Sequence, residues 1–291
     1  MVLKILIGIM SLLGLSVIGA LGMDVKKHKG QQDFQVNKVK SFVMGFIANF
    51  CDALGVGSFA VFVAMNRFLK QIPVKLLVGT LIVGVAAIPT IVSMIYSLTV
   101  IEVDTDILIA SIIAGAIGTF VGAKIMSGFS EKKVRIVLGL ILFIVGLIQL
   151  FKLIHGSGDF AGTTGLSGVS FVIAVIGLFI IGILQGMGLG FFAPTLALLM
   201  MLGMSSKSIY PIMFAGCAAG VLIGSFEFIR KGAYARKASP FIAIGGVIGV
   251  IIAVTLVKNL PITAVNWIVT LVLLYVGGEM FLQGIKQKEA K

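Results

Sequence analysis

Apolar residues fall in long blocks separated by short polar stretches. The first follows Lys4 and runs to Met23; further blocks lie at about 41–69, 76–99, 107–127 and 134–154. A glycine-rich stretch, 155–168 (HGSGDFAGTTGLSG), precedes blocks at about 170–204, 208–229, 238–257 and 262–284. Runs of about 17–25 apolar residues match a helix crossing a bilayer core of roughly 30 Å. They lack the period-two alternation of a membrane β-barrel. The pattern predicts an all-α polytopic membrane protein.

Two blocks are too long for one span, and a Gly-x-Gly interrupts each: Gly55-Val56-Gly57 and Gly188-Leu189-Gly190. Residues 41–54 and 58–69 would form helices of about 21 and 18 Å at about 1.5 Å per residue, too short to cross alone. The corresponding arms in the second block are 170–187 and 191–203. Glycine is where a helix most readily breaks. Each block therefore predicts a V-shaped helical hairpin with its apex near mid-membrane. Broken backbone at that depth must be buried in protein or line an aqueous cavity.

The halves also match in order. Gly55-Val56-Gly57 aligns with Gly188-Leu189-Gly190, Val83–Ala87 with Ala215–Ala219, Gly115–Gly118 with Gly246–Gly249, and Phe143–Gly146 with Leu274–Gly277; the offset drifts only from 133 to 131. This predicts an internal duplication of the kind from which transporters are built. The organisation is then an N-terminal transmembrane helix and basic loop (1–40), repeat 1 (41–154), a Gly-rich external linker (155–168), repeat 2 (169–285) and a basic tail (286–291). Each repeat comprises a broken hairpin and three transmembrane helices.

Composition agrees: 59% of residues are apolar and 12% charged, against about 45–50% and 25% in soluble domains. A soluble enzyme, a disordered chain and a disulfide scaffold are excluded. The net charge of +12 reflects topology rather than nucleic-acid binding. If each hairpin returns to its own side, the loops 24–40, 66–75, 124–135, 230–237 and 286–291 share one side and carry 19 of the 23 Lys and Arg residues. The remaining four are Lys4, Lys152, Lys207 and Lys258, and Glu102, Asp104, Asp106 and Asp159 lie opposite. Basic loops are cytoplasmic, so the charge pattern favours inverted rather than parallel repeats in a cell membrane, with the N-terminus outside and the C-terminus inside. No A-x-A site follows the first block, and five lysines do, which reads as a retained helix rather than a signal peptide.

Candidate chemistry centres on the apices. A helix N-terminus presents about four unpaired N–H groups and roughly half a positive charge, an anion site that needs no arginine. Gly57-Ser58-Phe59 and Gly190-Phe191-Phe192 would aim such groups at a shared cavity; Gly55 and Gly188 complete the breaks. Asn49, Asp52 and Gln185 lie on the entering arms, Asp52 and Gln185 at matched positions. An intramembrane carboxylate is a functional hypothesis by default: Asp52 takes the coupling proton, orients a donor to the substrate, or makes a structural hydrogen bond to a neighbouring helix end. Gly115, Gly118, Gly122, Gly245, Gly246 and Gly249 read as helix-packing glycines. Glu227 and Arg230 read as an i,i+3 pair, Glu279 as the partner of an Arg or Lys, and Ser93 and Ser225 as residues bonded back to their own helix. Cys51 and Cys217 read as buried free thiols. No catalytic motif or metal-binding cluster is present, so no enzyme activity, metal or cofactor is expected.

The duplicated Gly-rich breaks resemble the sulfite exporter TauE/SafE family of membrane permeases, whose pattern is approximately G-x-G-G-G, an apolar stretch and a proline in each half. The second half keeps Gly186, Gly188, Gly190 and Pro194; the first keeps Gly55 and Gly57, with Ser58 next and Val61 in place of the proline. The turns Pro73-Val74-Lys75 and Ser205-Ser206-Lys207 also fit, and the resemblance extends over about 41–285. It implies transport of small sulfur-containing anions: sulfite, and sulfonates such as sulfoacetate or taurine-related compounds. The expected partners are a small anionic substrate and membrane lipid, with no nucleic acid. Two readings compete: a proton- or cation-coupled carrier of another metabolite centred on Asp52, and a non-transporting structural membrane protein.

Overall fold

The computed structural model describes residues 2–28, 34–53, 57–100, 102–155, 162–188, 190–256 and 262–286. Among them are twelve α-helices and one π-helical segment. The helices are α1 (Val2–Lys27), α2 (Lys38–Ala53), α3 (Ser58–Leu69), α4 (Val74–Thr80), α5 (Pro89–Val100), α6 (Thr105–Met126), α7 (Glu131–His155), α8 (Gly168–Gly186), α9 (Phe192–Met201), α10 (Ser206–Lys231), α11 (Ser239–Leu256) and α12 (Ile262–Lys286); the π segment is Leu81–Ala86. Four helices, α1, α6, α8 and α10, are long and apolar enough to cross a membrane, and a fifth span arises if the bent α4–α5 pair counts as one. The chain is a multi-pass membrane protein.

Both long blocks are broken where the glycines lie, between α2 and α3 and between α8 and α9. Each hairpin returns to the end from which it started. The Asn37 N–H, just before α2, donates to Gln71 Oε1, just after α3, at 2.9 Å. Asn66 ends α3 by a reciprocal clasp: its Oδ1 accepts from the Ile72 N–H and its Nδ2 donates to the Ile72 carbonyl, both at 2.8 Å. In the second hairpin, Thr163 before α8 pairs with the turn after α9: its N–H donates to Gly203 O at 3.0 Å, and its carbonyl accepts from the Ser205 N–H at 2.9 Å.

The block at 76–99, expected as one continuous helix, is instead divided. The Ala87 N–H reaches back five residues to Ile82 O at 3.1 Å, a π-helical bond, and the chain bends by 44° before Pro89. Pro89 has no N–H to continue the ladder and disfavours helical geometry in the residue before it.

The connecting segments gather at two ends. At one, Asp24 of α1 accepts from Tyr234 Oη and Arg236 Nε, each at 2.6 Å, and Arg67 of α3 pairs with Glu279 of α12 through Nε at 2.8 Å. At the other, the Asp104 N–H donates to Thr164 O at 3.2 Å. There Leu3 and Leu6 of α1 help line a cavity of about 590 Å³ with Glu102, Asp104 and Thr164. α10, with 26 residues, joins the two ends over about 39 Å.

Glycines set the helix spacings. A Cβ on Gly118 or Gly122 of α6 would lie 3.0 Å from Gly182 Cα or 3.1 Å from Gly186 Cα of α8; rising numbers meet rising numbers, so α6 and α8 run parallel. Likewise Gly45 of α2 meets Ile242 of α11, and Gly249 meets Phe46 and Phe50, so α2 and α11 are parallel. α7 and α12 are antiparallel, with Gly146 against Leu274 and Ile136 against Gly284. So are α4 and α10, with Gly79 against Phe228, and the π-helical Ile82 against Gly224. α10 is buried along almost its whole length, whereas Ile5, Ile9, Leu12 and Leu15 of α1 and Ile113 and Ile117 of α6 are exposed, as lipid-facing side chains would be.

Candidate functional site

At the first apex Gly57 holds a φ of 94°, a left-handed conformation that only glycine adopts without strain. Ser58 then opens α3. Its N–H donates to Asp52 Oδ1 at 2.6 Å, and both residues are buried. The carboxylate thus occupies the positive end of α3; of the roles open to Asp52, the bond to a neighbouring helix end is present. One turn earlier, the fully buried Asn49 donates from Nδ2 to Gly45 O at 3.1 Å, while its Oδ1 has no hydrogen-bond partner. Phe59 is buried beside Ser58. Gly55 lies outside the described residues, as do Leu189, Asp159, Lys258, Lys288 and Lys291.

The second apex is built differently. Gly188 has a φ of 104°, and α9 starts at Phe192. Among the described residues no side chain caps its N–H groups. Pro194, third in the helix, has no N–H to offer. Thr195, on the same first turn, is fully buried with an unpartnered hydroxyl. Phe191 packs its buried ring against Gly216 of α10, and Phe192 meets Phe214 edge-on at 4.8 Å between centroids. Gln185 accepts from the Thr119 hydroxyl of α6 at 2.8 Å and donates to Cys217 Sγ of α10 at 2.9 Å.

Matched in sequence, Asp52 and Gln185 therefore differ in role. The first caps a helix; the second ties three helices together. Their surroundings meet at Cys217, which contacts Gln185 directly and lies within electrostatic range of Asp52. A Cβ built on Gly57 or Gly190 would meet no described residue within 4 Å. The arms 41–53, 58–66, 168–186 and 192–201 contain no Lys or Arg, which leaves backbone N–H groups as the positive features at this depth.

Several expectations for the remaining side chains can be set beside the structure. Cys51 and Cys217 are free thiols, the second buried and the first half-buried. Glu227 pairs with Arg230 at 2.8 Å, and Ser225 bonds back to Val221 O at 2.6 Å. Ser93 does not bond back: its buried hydroxyl has no hydrogen-bond partner. Thr119, Thr195 and the stripe Gly216, Gly220, Gly224 were not singled out from sequence. The stripe's i,i+4 spacing, and a lone threonine four residues after Gly115, were the available signals.

Apolar helices packed around two buried, glycine-broken hairpins define a multi-pass membrane protein. The profile of the sulfite exporter TauE/SafE family matches residues 1–148, and the chain belongs to that family. The match spans α1, the first broken hairpin and the helices up to α7; the second-half motif at Gly186–Pro194 lies beyond it. No curated protein and no solved structure matches the chain.

Proposed function

We propose that the protein is a secondary transporter of small organosulfur anions such as sulfite and sulfonates. It works by alternating access between two inverted repeats, with substrate held at mid-membrane by the N-termini of α3 and α9. The observation that carries this reading is the uncapped start of α9, at a buried break beside Thr195, Gln185 and Cys217. Inversion is supported by the directions of repeat-equivalent helices: α7 with α12, and α4 with α10, pack antiparallel. Repeats related by an axis along the membrane normal would make such pairs parallel. The cytoplasmic end is then the one holding Asp24, Arg67 and Arg236, and the N-terminus lies outside a cell membrane. Asn49, Gly57, Ser58, Phe59, Gln185, Gly188, Gly190 and Phe191 are the described residues of the proposed substrate site.

Buried Asp52 favours a second reading, a proton- or cation-coupled carrier of another metabolite. One panel separates them: thermal shifts of the purified protein with sulfite, thiosulfate, sulfoacetate, taurine, sulfate and simple carboxylates. A ligand at about 100 times its Kd stabilises by about 2.7 kcal/mol. Selective stabilisation by sulfur anions is expected. A response confined to carboxylates supports the second reading, and silence across the panel removes the first.

A further inference from the structure

We propose that Asp52 is a tethered stand-in for the substrate. Its carboxylate holds the amide end of α3 until protonated, so each anion bound at the apices brings one proton with it. This rests on the transport reading above and adds the coupling rule to it.

The geometry supplies two independent observations. First, the structure already holds an anion at this helix end: Asp52 Oδ1 sits 2.6 Å from the Ser58 nitrogen, in a buried environment. A substrate oxygen reaching that N–H must displace it. Second, the two apices are unequal. α9 offers open N–H groups, whereas the first N–H of α3 is taken. An oxyanion spanning both would bind beside a displaced, buried carboxylate, and two unpaired negative charges in a low-dielectric site repel strongly. Transfer of one proton from water to Asp52 removes the conflict. The neutral acid releases Ser58, the substrate oxygen accepts that N–H, and the net charge entering the site is that of the anion plus one proton. Asn49, one turn before Asp52 on the same face of α2, carries the buried and unpartnered Oδ1, an acceptor for an acid O–H.

Other ionisable groups do not complicate the assignment. α2 itself brings Cys51, with Lys38 and Lys40 at its opposite end, and α10 brings Cys217. α3 brings Arg67, at its far end and paired with Glu279. The π segment and α11, which also pack on α2, contain no ionisable residue.

The test uses the purified full chain with thiosulfate and methanesulfonate, whose charges stay constant between about pH 5.5 and 8. Affinity is expected to weaken as pH rises, approaching about tenfold per unit once Asp52 is ionised in the free protein. Asp52→Asn keeps an acceptor for the Ser58 N–H and should bind with a flat pH profile. At the alkaline end of that range, where Asp52 is ionised in the free protein, an indicator dye in weak buffer should report close to one proton taken up per anion bound by the unaltered protein, which needs no variant to fold. A flat profile in the unaltered protein, anion binding without proton uptake, or a slope that survives in Asp52→Asn each overturns the proposal while leaving the transport reading intact. No binding of either anion at any pH overturns both.

Discussion

Gln185 is the residue through which three helices agree on their positions. It receives the Thr119 hydroxyl from α6 at 2.8 Å and donates to Cys217 of α10 at 2.9 Å, with no exposure of its own. Inside a membrane such bonds contribute about 0.6 kcal/mol on average and at most about 1.7. Thr119→Val preserves shape and deletes the donor, so it should destabilise the protein by about 0.5–2 kcal/mol. Thr119→Ser, which restores a hydroxyl, should recover most of the loss. Chemical unfolding in detergent measures both, and a double-mutant cycle with Gln185→Leu should give a coupling energy clearly different from zero. Additive effects would show that the two side chains are merely neighbours. The same reasoning separates Gln185 from Asp52. Equal spacing placed both three residues before a Gly-x-Gly, yet one is consumed by side chains of other helices and the other by its own hairpin's backbone.

At the scale of helices, glycine decides how closely the axes approach. Gly122 and Gly249 face the backbone of a parallel neighbour, where an added methyl would stand 3.1 Å from Gly186 Cα or from the Phe50 nitrogen. Backbone cannot swing aside as a flexible side chain can, so Gly122→Ala and Gly249→Ala should each cost about 1–3 kcal/mol and lower the melting temperature in detergent. Gly19 of α1 has nothing within 4 Å of its added methyl, and Gly19→Ala should leave melting unchanged or raise it. Equal effects at all three sites would refute the packing account. Such contacts explain what the sequence could disclose. The breaks at Gly57 and Gly188 were legible because an apolar run too long for one span must end somewhere, and glycine marks the place. The packing glycines were legible through their four-residue spacing. The division of 76–99 was legible in principle, since Pro89 interrupts the amide ladder there, but within an unbroken apolar run a proline can equally kink a single span. The capping of α3 by Asp52 was not decided in advance, since a carboxylate six residues upstream reaches that N–H only once the chain has turned back on itself.

For the whole molecule, the hinge of the argument is direction. α6 packs parallel to α8, and α11 packs parallel to α2; under the proposed duplication, each copy lends a helix to the other's hairpin. A pseudo-twofold axis in the membrane plane, as proposed above, would produce both this exchange and the antiparallel contact of α7 with α12. Under the proposed alternating access, rocking one copy against the other would interchange equivalent environments. Inversion has a consequence that parallel repeats cannot share. Lys124 and Thr255 occupy matched positions at the ends of α6 and α11, and both are exposed. In a background with Cys51→Ser and Cys217→Ser, single cysteines at these positions should lie on opposite sides of the membrane. An impermeant maleimide applied to intact cells should modify Thr255→Cys, and Lys124→Cys only after permeabilisation. Basic residues flanking Lys124, at Lys132, Lys133 and Arg135, predict which of the two is inside. Labelling of both from the same side would make the copies parallel, and helix ends approaching from one face could not enclose a site between them.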